Sequence, residues 1–161
     1  MRSTRSNTRH AVLLVLCLAG SAASAIVTSS PALAVDNMNS TDAPDLSSVR
    51  AKIKVADYQG AVAELKVIAE TSQHADVYSL MGFSLRKLGD YPTALTFYRK
   101  ALDFNADHKG AREYLGELYV DMGDLPKARE QLAVLTRLCP QGCEEREDLE
   151  KLLATKAAKV N

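Results

Sequence analysis

Apolar side chains recur every three or four residues from Leu46 onward, and turn residues cut the rhythm at regular points. Leu46, Val49, Ile53 and Ala56 mark one face of a helix over Asp45–Val55. Val62, Leu65, Ile68 and Ala69 mark a second helix that ends near Glu70. A third opens at Ala75 with the stripe Val77, Tyr78, Met81, Leu85 and Leu88, and a fourth carries Ala94, Leu95, Tyr98, Ala101 and Leu102. Leu115, Leu118, Tyr119 and Met122 predict a fifth, and Ala128, Leu132, Leu135 and Leu138 a sixth that Pro140 closes. The third and fourth helices and the fifth and sixth are the same pattern at an offset of 34 residues. Met81–Gly82 returns as Leu115–Gly116, and Gly89-Asp90-Tyr91-Pro92-Thr93-Ala94 returns as Gly123-Asp124-Leu125-Pro126-Lys127-Ala128. Such a period belongs to stacked helical units rather than to one closed core. The first pair of helices is a degenerate copy, with Val49 and Ala56 where the later copies have Gly.

The turn chemistry agrees with the periodicity. Gly89 and Gly123 stand just past a helix end, where a left-handed backbone is needed. Asp90 and Asp124 are then placed to cap the next helix, and Pro92 and Pro126 fall in its first turn, where a missing N–H costs nothing. Gly82 and Gly116 are different, because they lie inside helices and lower helix propensity there. Their use predicts close approach between the paired helices, with Ala94 and Ala128 facing them from the second helix of each unit. A final helix is predicted over Glu144–Val160, with acidic residues Glu144, Glu145, Glu147 and Asp148 at its start and Lys151, Lys156 and Lys159 toward its end. Its narrow apolar face of Leu149, Leu152 and Leu153 suits a helix that covers the open end of a stack.

Ahead of the helices stands a segment of another kind. Arg2, Arg5 and Arg9 precede the apolar run Ala11–Ala19, and Ala32-Leu33-Ala34 offers an Ala-x-Ala motif, with Ala23-Ser24-Ala25 as a second. The run is too short for a stable membrane span, so residues 1–34 are predicted to be an export signal cleaved after Ala34, in the manner of a bacterial periplasmic protein. Leu16 before Cys17 argues against lipidation. The predicted organisation is a signal at 1–34, a flexible linker at 35–44, repeats at 45–142 (units 45–74, 75–108 and 109–142), and a capping helix with tail at 143–161.

Composition then narrows the chemistry. The chain has 20 Lys+Arg, 20 Asp+Glu and a formal net charge of +0. Loss of the three leader arginines leaves the remainder mildly acidic. No basic stripe with interleaved aromatics is present, so nucleic acid is not an expected partner, and no membrane insertion is expected after cleavage. No nucleophile–base set, phosphate-cradling Gly loop or metal-protease motif occurs, so no catalytic, cofactor-binding or metal-ligating residues are predicted and the chain reads as a non-enzyme. His74 and His108 occupy equivalent positions before first helices, and a turn role fits them better than a metal pair.

The repeated positions resemble the tetratricopeptide repeat. Tyr78, Met81–Gly82, Leu85, Gly89, Tyr91, Ala94, Tyr98 and Ala101 match its pattern in the second unit, with Ala106 where the family has Pro. Leu115–Gly116, Tyr119, Gly123, Leu125, Ala128, Leu132, Leu135 and Pro140 match in the third, with Arg112 departing at the first aromatic position. The resemblance implies an all-α, right-handed solenoid of about three helix-turn-helix units. It implies too that the first helices line a concave groove for a protein or peptide segment. Carried over by position, the groove residues are Arg50, Ile53 and Lys54; Ser79, Phe83, Arg86 and Lys87; and Glu113, Glu117, Val120 and Asp121. That surface would be basic at one end and acidic at the other, suited to an extended partner with separated charges. A plain solvated helix face is the competing reading of the same residues. The Asn and Lys set that holds C-terminal carboxylates in some members is not matched.

Cys139 and Cys143 flank a Pro140-Gln141-Gly142 turn that can bring their Cα atoms within disulfide range. An exported chain meets an oxidising compartment, so a structural disulfide is the main expectation. A redox-active pair and a metal half-site are the alternatives; the spacing is C-x3-C, with no His near it in sequence. At the level of function, a protein-binding module is expected first. A thiol-disulfide accessory and a small structural subunit of an envelope assembly are the other two readings.

Overall fold

Every second helix starts where a carboxylate takes over free backbone N–H groups. Asp57, Asp90 and Asp124 accept from the amides of Gly60, Thr93 and Lys127, and so begin α2 (Tyr58–Thr71), α4 (Tyr91–Phe104) and α6 (Leu125–Leu138). The imidazoles do the same work for two of the first helices. His74 Nδ1 accepts from Asp76 N at the head of α3 (Ala75–Lys87), and His108 Nδ1 accepts from Ala111 N at the head of α5 (Lys109–Asp121). The remaining elements are α1 (Ser47–Lys54) and α7 (Glu144–Val160). The computed structural model describes residues 43–160 of the chain. The basic leader, its apolar run, both Ala-x-Ala motifs and residues 35–42 of the expected linker lie outside the described residues. Among the described residues every regular element is helical.

The turns inside the units reuse one backbone conformation. Gly89 and Gly123 have φ of 84° and 80°, and the degenerate first unit puts Ala56 there at φ 60°. A side chain in that region costs roughly 1–2 kcal/mol, so the first unit is built with a local strain the other two avoid.

The helices stack in two layers. Each first helix packs on its own second helix, α3 packs against α2 and α5, and α7 lies against both α5 and α6. Ala94, Tyr98, Leu118, Ala128, Leu135, Leu149 and Leu153 form a core that joins the second and third units to α7. Val49, Leu65, Val77 and Met81 form a second core between the first two units. Tyr78 closes a third, stacked between Phe97 and Phe104 at centroid distances of 6.4 and 5.2 Å. Besides Ala56 in its turn, two residues of the predicted stripes, Leu88 and Met122, are exposed instead. Each is the cap residue that ends its helix, so the backbone turns away before its side chain meets the next layer.

The close approach expected at Gly82 and Gly116 exists, but its partners differ from the expected alanines. A Cβ on Gly82 would lie 2.7 Å from the Tyr98 ring, and one on Gly116 would lie 2.4 Å from Leu149 Cδ2. Ala94 and Ala128 are fully buried in the core beside these contacts. The second helix therefore reaches Gly82 with a large ring rather than a small side chain. At Gly116 the reaching group comes from α7, while Leu132, the counterpart of Tyr98, is only partly buried.

Candidate functional site

The positions carried over to the groove fall into three groups. Ser79 and Val120 are buried, with exposures of 2% and 3%, and so are closed to a partner. Arg86, at 8% exposure, is a second departure from expectation. It spans α3 and α5, donating through Nη1 to Asp121 Oδ2 at 2.7 Å and through Nη2 to Glu117. The guanidinium is shared by the two carboxylates, so Arg86, Glu117 and Asp121 do not stand free as opposite ends of a two-signed surface. This pairing joins residues 31 and 35 apart in sequence, and periodicity within one helix is blind to it. The third group, Arg50, Lys54, Phe83 and Lys87, keeps solvent access, while Ile53 packs partly buried on the core of the first two units and Glu113 stands apart.

Between these charges runs a line of rings. Phe83 on α3 meets Tyr58 of α2 at 6.2 Å between centroids and Tyr114 of α5 at 4.9 Å. Tyr114 in turn lies 6.4 Å from the buried Tyr98. Lys87 Nζ sits 5.2 Å from the centre of the Phe83 ring and the Arg86 guanidinium carbon 5.8 Å from it, both in cation–π range. Tyr58, Phe83 and Tyr114 are all partly exposed, so three consecutive units present one aromatic strip. Tyr58 and Tyr114 escaped the sequence reading because neither belongs to a core stripe or to a groove position of its own helix. Their adjacency to Phe83 is created by the stacking.

Glu113 forms the acidic side of this strip. It shares a face of α5 with Glu117 and Asp121 at four-residue spacing, yet it has no hydrogen-bond or ion-pair partner among the described residues. Burial, and then the charges of Glu117, Asp148, Glu145 and Glu144, push its carboxyl up to about 8. The start of α7 therefore does more than place acids where the helix dipole favours them. Glu145 is half-buried, and its field and those of Glu144 and Asp148 reach Glu113. Burial raises Glu117 too, opposed by Arg86 and Lys87, and burial raises the Tyr98 hydroxyl. Tyr98 Oη and Arg86 Nε are buried without a hydrogen-bond partner of good geometry.

The sign of the Glu113 effect follows from proton linkage. In acid both folded and unfolded chains hold the proton. Between the ordinary carboxylate range and about 8 the folded chain keeps it while the unfolded chain gives it up. Stability therefore falls as pH rises through that window. Glu113→Gln, which never ionises, is expected to raise the thermal midpoint by roughly 2–5 °C at pH 8.5 and to change it little at pH 4.5. Melting curves across that range test it, and parallel curves for the two proteins would mean that Glu113 is not the group that loses stability.

Elsewhere, His108 Nε2 lies 2.7 Å from Asp76 Oδ1. Since Nδ1 accepts a backbone N–H, Nε2 is the donor, and the imidazole ties the second unit to the third. Cys139 and Cys143 have Cα atoms 6.0 Å apart with their sulfurs at bonding distance, at the junction of α6 and α7. Arg146 Nη1 donates to the carbonyls of Cys139 and Pro140 across the same turn. Among the described residues no group of three or more His, Cys, Asp or Glu is arranged to hold a metal ion, and no helix is long and apolar enough to cross a membrane.

Residues 85–146 match the family model described as tetratricopeptide repeat. The fold is shared with the Yersinia enterocolitica type III secretion chaperone SycD in complex with a peptide of the translocator YopD. That likeness has a TM-score of 0.62 at 15% identity, covering 71% of this chain and 91% of that one. PcrH in complex with the chaperone binding region of PopD gives 0.61 at 14%, covering 71% and 90%. MamA gives 0.55 at 19%, covering 71% and 78%. No curated protein matches the chain. Repeat pattern, helix pairing and family match agree: residues 85–146 carry the tetratricopeptide repeat, and the described residues form an all-α solenoid.

Proposed function

We propose that this is an exported, non-enzymatic interaction module that holds a segment of a partner protein against its first helices. The aromatic strip Tyr58–Phe83–Tyr114 carries the reading. Aromatic side chains offer large contact area at small entropic cost and are enriched where proteins bind. Here they run across three units, with Lys87 over the Phe83 ring and Glu113 next to Tyr114 in sequence. The SycD structure with a peptide of the translocator YopD and the PcrH structure with the chaperone binding region of PopD support a protein or peptide as the kind of ligand. Export to the periplasm follows from the leader alone. In that compartment the sulfurs of Cys139 and Cys143 would be oxidised, fixing the turn on which α7 docks.

Photo-crosslinking tests the face. A benzophenone amino acid at Phe83 should give discrete adducts in the envelope fraction of the producing bacterium, and one at exposed Arg99 on α4 should give none of them. Equal labelling from both positions, or none from Phe83, overturns the groove. An alkaline phosphatase fused after residue 161 should be active in intact cells; an inactive, cytosolic fusion overturns export.

A further inference from the structure

Glu113 is the covered carboxyl of the groove positions that no cation among the described residues answers. Its exposure is 9%, and neither a hydrogen bond nor an ion pair reaches it among the described residues. One and two turns further along α5, Glu117 and Asp121 share Arg86 of α3. By the 34-residue register, the α3 positions level with Glu113 are Ser79 and, one turn on, Phe83, and neither carries a charge. Ser79 Oγ is itself buried without a partner. On its other side α7 brings Glu144, Glu145 and Asp148, all of the same sign. Arg146, the cation of that segment, is turned away to Glu150 and to the Cys139 and Pro140 carbonyls. The repeat that supplies a guanidinium at one level of the α3–α5 interface thus supplies nothing at the level above.

We propose that Glu113, between the Phe83–Tyr114 ring pair and the acidic start of α7, is the subsite for a lysine or arginine side chain of the bound segment. The inference rests on the groove reading and gives that groove its polarity. A cation on a long, flexible stem is the chemistry that reaches so covered a carboxyl, its methylenes lying along the rings while its head meets Glu113. Charge-assisted bonds of this kind are stronger than neutral ones, and the surrounding carboxylates favour the cation further. The acidic side chains that partner needs elsewhere are set by Arg50, Lys54 and Lys87, which keep solvent access.

The probe is a random decapeptide library displayed on phage, selected on the immobilised full-length chain and on its Glu113→Gln variant. Peptides from the native chain should show Arg and Lys enriched at one register position by about threefold or more over the input. Selection on Glu113→Gln should still retain peptides but without that enrichment. Synthetic copies with citrulline in place of the arginine should bind the native chain at least about fivefold more weakly, and the variant equally well as the arginine form. Retained peptides with no basic preference, or the same preference on the variant, overturn the subsite and leave the groove standing. No retention above a bare surface on either protein overturns both.

Discussion

Arg86→Met is expected to destabilise the fold by about 3 kcal/mol, a fall in thermal midpoint of the order of 10 °C. The side chain removed is 7% exposed, and its two partners, Glu117 and Asp121, are 23% and 31% exposed, so neither is free to rehydrate fully. Glu117 is already raised by burial, with Arg86 the largest influence holding it down. Without the guanidinium it must take up a proton or remain an unmatched charge between α3 and α5, and breaking a buried pair by one partner is the costly way to break it. The loss should be larger at pH 8 than at pH 5, where a proton can stand in for the cation. Arg86→Lys should not restore it, since the two acceptors sit one helical turn apart and each takes a separate arm of the fork. Adding Glu117→Gln to Arg86→Met should recover roughly half the loss. A double variant no better than the single one would show that the cost comes from lost packing of the Arg86 stem on Phe83.

Local chemistry was legible in the sequence, and long-range charge pairing was not. The starts of α4 and α6 could be read because Asp90 and Asp124 act within three residues of themselves. The opening of α3 at Ala75 and the span Glu144–Val160 of α7 could be read from the apolar stripe of one and the charge order along the other. Arg86 looked like a ligand because its helix gives it a position but not a neighbour. Its neighbours come from a helix more than thirty residues on. Glu113 passed as one acid among several for the matching reason: what singles it out is the missing cation opposite and the arrival of α7 behind. Tyr114 was passed over entirely. A repeat pattern specifies which residues face inward, and the stacking offset decides which of the others meet.

The second large effect is expected at Gly82, where Gly82→Leu should lower stability by about 3 kcal/mol or more, beyond the gain in helix propensity of roughly 0.8–1 kcal/mol from removing glycine. Even a Cβ there falls 2.7 Å from both Cδ1 and Cε1 of Tyr98, a ring with no exposed surface and therefore nowhere to move. Gly116 offers the contrast. Its Cβ would meet the branch ends of Leu149, which can change rotamer, so Gly116→Ala should cost less and act locally. In hydrogen exchange it should loosen the amides of α7 and leave α3 and α4 protected. The degenerate first unit shows how the same space can be filled differently. Where the second unit sets Gly82 against Tyr98, the first has Val49 and Leu65, both fully buried. Volume moved from one helix to the other keeps the pair at the same separation. Gly82→Val with Tyr98→Leu should therefore be more stable than Gly82→Val alone, despite removing a fully buried aromatic ring. If the double variant melts below the single one, the Gly82–Tyr98 contact is not what sets the distance between α3 and α4.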